Sequence, residues 1–158
     1  MPFAPPPPLS GTSYAPFPNP DTRYLADRAG LLRPAQQEEL NKRLGEAERQ
    51  SGVRIVAATI QSIRDYPATP NDSIESFGRG LFRAYQIPSN GLLFLIAMKD
   101  RQAHIQLGAA YGRRRDADAR KIMDEVIVTR LRNGDRSGGL LEGAQALAQA
   151  FAATQDSP

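Results

Sequence analysis

Seven consecutive apolar residues, Leu92 to Met98, are followed at once by Lys99-Asp100-Arg101 and then by the alternating segment Gln102 to Leu107, which stops at Gly108. A strand that is apolar at every position has no face to offer water, so it belongs in the middle of a sheet covered on both sides. Lys99 to Arg101 predicts a tight hairpin. Beyond it, Ala103, Ile105 and Leu107 face the core while Gln102, His104 and Gln106 face outward. Ser89-Asn90-Gly91 predicts a turn ahead of the apolar run. Two loops therefore lie at opposite ends of one sheet, and any chemistry belongs to one rim or the other.

Helical spacing frames this centre. Pro34 to Gln50 predicts a first helix, with Leu40, Leu44 and Ala47 as its apolar stripe, proline at its first position and Ser51-Gly52 as its stop. Arg33 stands at its N-cap, where it cannot cap. Val53 to Ile60 predicts a strand apolar on both faces, and Gln61 to Pro70 a loop. Asn71 or Asp72 is expected to start a second helix, with Glu75 three residues after Asp72 as a capping-box partner. Ile74, Phe77, Leu81 and Tyr85 form its stripe, and Pro88 ends it. Gly78 and Gly80 each cost about 1 kcal/mol of helix propensity relative to alanine, which predicts close packing on the sheet. Asp116 or Asp118 is expected to cap a third helix carrying Ile122, Met123, Val126, Ile127 and Leu131, stopped by Asn133-Gly134. Ser137 to Ala153 predicts a fourth. The sum is an α/β chain: a three-layer α/β/α Rossmann-like sandwich with a small mixed sheet, its β-α-β unit crossing over right-handedly.

The 158 residues suit one domain with a sizeable core, and 41% of them are hydrophobic. Eight of the thirteen prolines fall within the first twenty residues, so 1–22 are expected to form a proline-rich arm outside a domain spanning 23–154. The absence of cysteine excludes disulfides, a thiolate nucleophile and Cys-ligated zinc. No apolar run is long enough to span a bilayer, and no signal peptide opens the chain. The formal charge is only +3, with the basic excess concentrated at Arg113-Arg114-Arg115.

Several segments, read in order, carry a resemblance. They are Asp27-Arg28-Ala29-Gly30-Leu31-Leu32, Gly52-Val53 to Thr59, Phe82-Arg83-Ala84-Tyr85-Gln86-Ile87 and Asn90-Gly91-Leu92-Leu93-Phe94-Leu95-Ile96. Asp100-Arg101, Gly108, Tyr111-Gly112, Val126-Ile127 and Asn133-Gly134-Asp135 complete the set. From roughly Tyr24 to Ala153 the chain resembles the TPM domain family, which includes a thylakoid lumen protein described as an acid phosphatase and many bacterial envelope proteins. The resemblance implies a Rossmann-like sandwich, usually exported and often tethered by a membrane helix. It also implies a periplasmic or otherwise extracytoplasmic accessory or interaction module working near a membrane protein or envelope complex. The chain departs from the family pattern in having Ser89 before Asn90-Gly91, Arg33 at the helix cap, a spread Gly108-Ala109-Ala110-Tyr111-Gly112 and the arginine triplet.

Two rims compete as sites. At the carboxyl edge of the parallel strands, where ligands of open α/β sheets bind, Asp27, Asp65, Asp100 and Asp135 are candidate ligands for Ca²⁺ or another divalent cation. The plainer alternative gives Asp27, Asp100 and Asp135 to turns and caps. Asp100, ending the central strand, is the one candidate nucleophile or metal ligand by position, with Arg101 beside it. Together with Asp27 and Asp65 it would serve a metal-assisted acid phosphatase acting on phosphomonoesters, the alternative to the accessory role. At the opposite rim Ser89, Asn90, Tyr111 and Asp116 gather near Arg113, Arg114 and Arg115, a candidate anion site beside a helix N-terminus. A solvated arginine loop is the plainer account. Nucleic acid is disfavoured, because only Tyr111 could stack a base.

Overall fold

The computed structural model describes residues 14–152. Its elements are β1 (Leu25–Asp27), α1 (Pro34–Ser51), β2 (Ile55–Ile60), α2 (Ile74–Ala84), β3 (Leu92–Ala97) and β4 (Gln102–Leu107). After these, α3 (Asp116–Ile122) runs through a π-helical turn (Met123–Ile127) into α4 (Val128–Arg132), and α5 (Arg136–Phe151) completes the chain. Short 3-10 turns lie at Ile63–Asp65 and Ala109–Tyr111.

The strands lie in the order β1-β2-β3-β4; β1, β2 and β3 run parallel and β4 antiparallel. Every residue of β3 is buried, as its unbroken apolar run requires. Its side chains feed two cores alternately. Leu92, Phe94 and Ile96 pack with Leu40 and Leu44 of α1 and with Leu140 and Leu147 of α5. Leu93, Leu95 and Ala97 pack with Phe77 and Leu81 of α2. A three-layer α/β/α sandwich around a small mixed sheet results. Glycines set the spacing of its layers: a Cβ on Gly143 of α5 would meet the Phe94 ring at 2.7 Å, and one on Gly78 of α2 would meet His104 at 2.7 Å.

Crossover handedness follows from the same packing. The chain steps from β1 to β2 to β3 in one direction, yet α1 and α2 cover opposite faces. Two successive parallel crossovers with helices on opposite faces have opposite hands, so one of them departs from the right-handed rule.

Several local expectations are corrected. β1 was not expected from the sequence; at three residues, it is too short to show alternation. β2 begins at Ile55, two residues later than expected, although the Arg54 carbonyl already accepts from the Leu92 N–H at 3.0 Å. Neither Asn71 nor Asp72 caps α2: Ser73 does, accepting from the Ser76 N–H at 3.0 Å. α2 ends at Ala84, well before Pro88, and beyond its cap Tyr85 the left-handed Gln86 (φ 55°) turns the chain, with Gln86 and Ile87 donating to the carbonyls of Arg83 and Phe82. At α3 the N-cap is Arg115, so Asp116 and Asp118 fall inside the first turn. His104 faces α2 over Gly78 and hydrogen-bonds Gln106, so its face of β4 is covered rather than open. The Arg33 side chain makes no cap, but Gln36 accepts from the Arg33 N–H at 2.8 Å and closes that end of α1.

The N-terminal boundary also moves. Residues 1–13 of the expected arm lie outside the described residues, as do 153 and 154 at the far end. Residues 14–22, however, are packed. Phe17 stacks edge-on against Phe77 at 5.4 Å and Tyr14 against Tyr85 at 5.5 Å, while the Tyr85 hydroxyl donates to the Pro18 carbonyl at 2.6 Å. A Cβ on Gly80 would come within 2.6 Å of Phe17, so this glycine seats the N-terminal segment and not the sheet. Aromatics interleaved with the prolines supply enough apolar surface to hold a segment that has no regular structure of its own. Among the described residues no helix is long and apolar enough to cross a membrane.

This packing makes residues 14–18 part of the cooperative unit. Phe17→Ala is expected to lower stability by about 2 kcal/mol, less than a fully buried phenylalanine would, read as a lower urea midpoint at unchanged slope. An unchanged midpoint would return the segment to the arm.

Candidate functional site

At the carboxyl edge, β3 ends in the hairpin turn Met98 to Arg101, closed by the Arg101 N–H donating to the Met98 carbonyl, with Arg101 at φ 54°. The turn sends the Asp100 carboxylate sideways to the loop after β2. There Ser62 Oγ donates to Oδ1 at 2.8 Å and the Ile63 N–H to Oδ2 at 2.9 Å. Asp100 thus anchors the 3-10 turn at Ile63–Asp65, with both oxygens in use.

Asp27, at the end of β1, is equally committed. Its Oδ1 accepts from Thr59 Oγ1 at 2.6 Å and the Leu31 N–H at 3.0 Å, and its Oδ2 from the Leu32 N–H at 2.9 Å. It is 7% exposed. This carboxylate fixes the β1–α1 loop to β2, and Thr59 Oγ1 accepts in turn from the Ala29 N–H. Asp135 is the N-cap of α5, accepting from the Gly138 N–H at 3.0 Å, and lies 3.6 Å from Arg130. Asp65 is exposed on its 3-10 turn.

These four carboxylates therefore hold four separate places. Among the described residues no three Asp, Glu or His side chains come together as a group that could hold a metal ion. Ca²⁺ takes six to eight oxygens, whereas the oxygens of Asp27 and Asp100 already receive N–H and O–H donors. The residues present do not fit that ion.

The opposite rim is a packed junction. The Tyr111 hydroxyl donates to the Asn90 carbonyl at 2.6 Å, and the Ala110 N–H to the Ser89 carbonyl at 3.0 Å. The Asn90 side chain donates to the Gly52 carbonyl. A Cβ on Gly108 would fall 1.9 Å from the Ser89 carbonyl oxygen, so only glycine lets β4 leave the sheet here. Burial raises the Tyr111 phenol above its usual range, against the pull of Arg115 and Arg114. The arginine triplet divides its duties. Arg115 pairs with Asp118 at 2.5 Å, donates to the Ala150 carbonyl and lies 4.1 Å over the Phe151 ring. Arg114 donates to the Ala110 carbonyl, and Arg113 is exposed. Asp116 is exposed in the first turn of α3.

A cleft of about 910 Å³ opens at the carboxyl edge between the hairpin and the α4–α5 corner. Ile96, Met98, Ala103, Val128 and Leu131 give it an apolar floor. Lys99, Arg101, Arg132 and Arg136 stand around it, and no acidic residue lines it. Of these four cations only Arg101 was a candidate from the sequence. The missed signal was present: Arg132 and Arg136 flank Asn133-Gly134-Asp135, the turn expected to return to this end.

The fold and this rim define a small mixed-sheet α/β/α domain whose carboxyl edge is basic, with its acids spent on loops. The TPM domain model matches residues 25–150, and the chain belongs to the TPM domain family. Among solved structures it is similar to the N-terminal domain of a P. gingivalis protein, with 29% identity over 82% of this chain and 84% of that one and a TM-score of 0.67. Two further likenesses concern the fold alone. One is the N-terminal domain of a Corynebacterium glutamicum protein (17% identity, TM-score 0.61, 84% and 83% covered). The other is the BA42 protein of Bizionia argentinensis (16% identity, TM-score 0.61, 77% and 81% covered). No curated protein matches the sequence.

If Asp27 is a structural clamp, Asp27→Ala is expected to cost about 3 kcal/mol, because it strands buried donors that had a charged acceptor. Chemical denaturation reads this directly; a variant as stable as the parent would mean that the carboxylate is held for some other purpose.

Proposed function

We propose that this TPM domain serves in the bacterial envelope as a non-catalytic accessory module that binds a membrane protein or envelope complex. The observation that carries the reading is the state of Asp100. As the carboxylate that follows the central strand most closely, it accepts from Ser62 Oγ and the Ile63 N–H and holds a loop in place. A nucleophilic carboxylate needs a free oxygen facing a substrate, and the nearest cleft is lined by Lys99 and Arg101 but not by Asp100. His104, the one histidine, lies under α2 beside Gln106 and cannot supply a general acid to that cleft. Two of the similar solved domains are described as N-terminal domains, which supports a module that works as one part of a longer chain.

The purified chain is expected to release no phosphate from p-nitrophenyl phosphate above a buffer blank, with or without added Ca²⁺ or Mg²⁺. Asp100→Asn should lower thermal stability and leave that blank unchanged. Hydrolysis that Asp100→Asn abolishes in a folded protein would replace this reading with the metal-assisted phosphatase. Fractionation of cells carrying the natural protein should place it with the envelope; recovery in the cytosol would remove the envelope role.

A further inference from the structure

We infer that the cleft between the β3–β4 hairpin and the α4–α5 corner is a docking site for an acidic peptide segment of a partner protein, one in which carboxylates alternate with aliphatic side chains. The inference rests on the binding-module reading and names the surface and the partner chemistry that reading leaves open.

Charge complementarity is the first argument. Lys99, Arg101, Arg132 and Arg136 stand around one cleft with no acidic residue in its lining, and they make no ion pair and no side-chain hydrogen bond among the described residues. The two acids nearest in sequence are turned away: Asp100 to Ser62 and Ile63, Asp135 to the first turn of α5. A rim with one sign of charge over an apolar wall concentrates the opposite charge. Its cations have no internal partner to give up on binding.

Shape supplies the second. At about 910 Å³ the cleft is at the upper end of ordinary ligand sites. Its floor is continuous with the core, since Met98, Ala103 and Leu131 all pack against buried residues. The π-helical turn at Met123–Ile127 adds a residue to the helix just before α4, shifting the phase of Val128 and Leu131, the two α4 residues that line the floor. Such turns are frequent at functional sites. A partner must therefore bring apolar side chains for the floor and carboxylates for the rim, and an amphipathic acidic segment has both. A bare phosphate would leave the floor uncovered, and the α5 N-terminus that might have cradled it is already capped by Asp135. Nucleic acid finds no aromatic ring in the lining on which to stack a base. A bilayer surface requires apolar groups that protrude, and these are recessed.

The test is fluorescence anisotropy with the whole chain and a short labelled peptide alternating glutamate with leucine. Binding is expected, weakening with salt, and weaker by about tenfold in the Arg101→Glu, Arg136→Glu double variant. Arg113→Glu, at the other rim, should bind like the parent, and equal melting temperatures for all three would show that folding is intact. A peptide alternating glutamate with serine should bind more weakly than the leucine one. Equal affinity for the two peptides, or an equal loss with Arg113→Glu, would overturn the site by showing general attraction between charges. Displacement of the peptide by millimolar inorganic phosphate at constant ionic strength would overturn it in favour of a small-anion site. Phosphatidylglycerol vesicles that bind through Arg101 and Arg136 while the peptide does not would overturn it in favour of a lipid surface. Failure of the peptide in a chain with no phosphatase activity sinks the docking site alone; phosphatase activity dependent on Asp100 sinks the accessory reading beneath it.

Discussion

β3 has no exposed face, and the rest of the molecule is arranged around that fact. Six successive buried side chains cannot all pack into one core, so the strand demands a helical layer on each side. With each large apolar side chain contributing about 1.5–3 kcal/mol on full burial, Leu92 to Ile96 outweigh any local preference of the loops around them. The opposite-handed crossovers follow from the same demand: α1 and α5 take one face and α2 the other. Gly143 and Gly78 let those layers approach closely, at Phe94 and at His104.

Burial of β3 also determines what its ends can do. At the carboxyl edge the sheet stops abruptly, and the loops leaving it contain N–H groups that secondary structure does not satisfy. Asp27, Asp100 and Asp135 satisfy them. Each acid used in this way has its oxygens committed to a loop or cap, and none of the three lines the cleft where Lys99, Arg101, Arg132 and Arg136 stand. The basic cleft and the absence of a gathered acidic cluster among the described residues thus go together.

The layer order, the central strand, the hairpin and α1, α2 and α5 were legible in the sequence because each rests on a local period. Features that depend on contacts distant in sequence were not. Phe17 reads as part of a proline-rich arm until α2 presents Gly80 to it. Ser73 displaces Asn71 and Asp72 as the cap because the loop before it is fixed elsewhere, with the Asn71 side chain donating to the carbonyls of Ile63 and Tyr66. The π-helical turn leaves no mark on an apolar periodicity that reads as one continuous helix. At the carboxyl edge Asp27, Asp100 and Asp135 accept hydrogen bonds in turns and a cap, as the plainer reading of the sequence had them. The cleft was not legible, because Arg132 and Arg136 meet Lys99 and Arg101 only after α4 and α5 have folded back over the sheet.

Amide hydrogen exchange resolved by residue tests the central position of β3 most directly. If both faces of the strand are sealed, the amides of Leu92 to Ala97 exchange only through global unfolding, at the free energy measured by denaturant and with the full denaturant dependence. Exchange of Phe94 or Leu95 through local opening, at a free energy no higher than that of α4, would contradict the account and leave both rims without a frame.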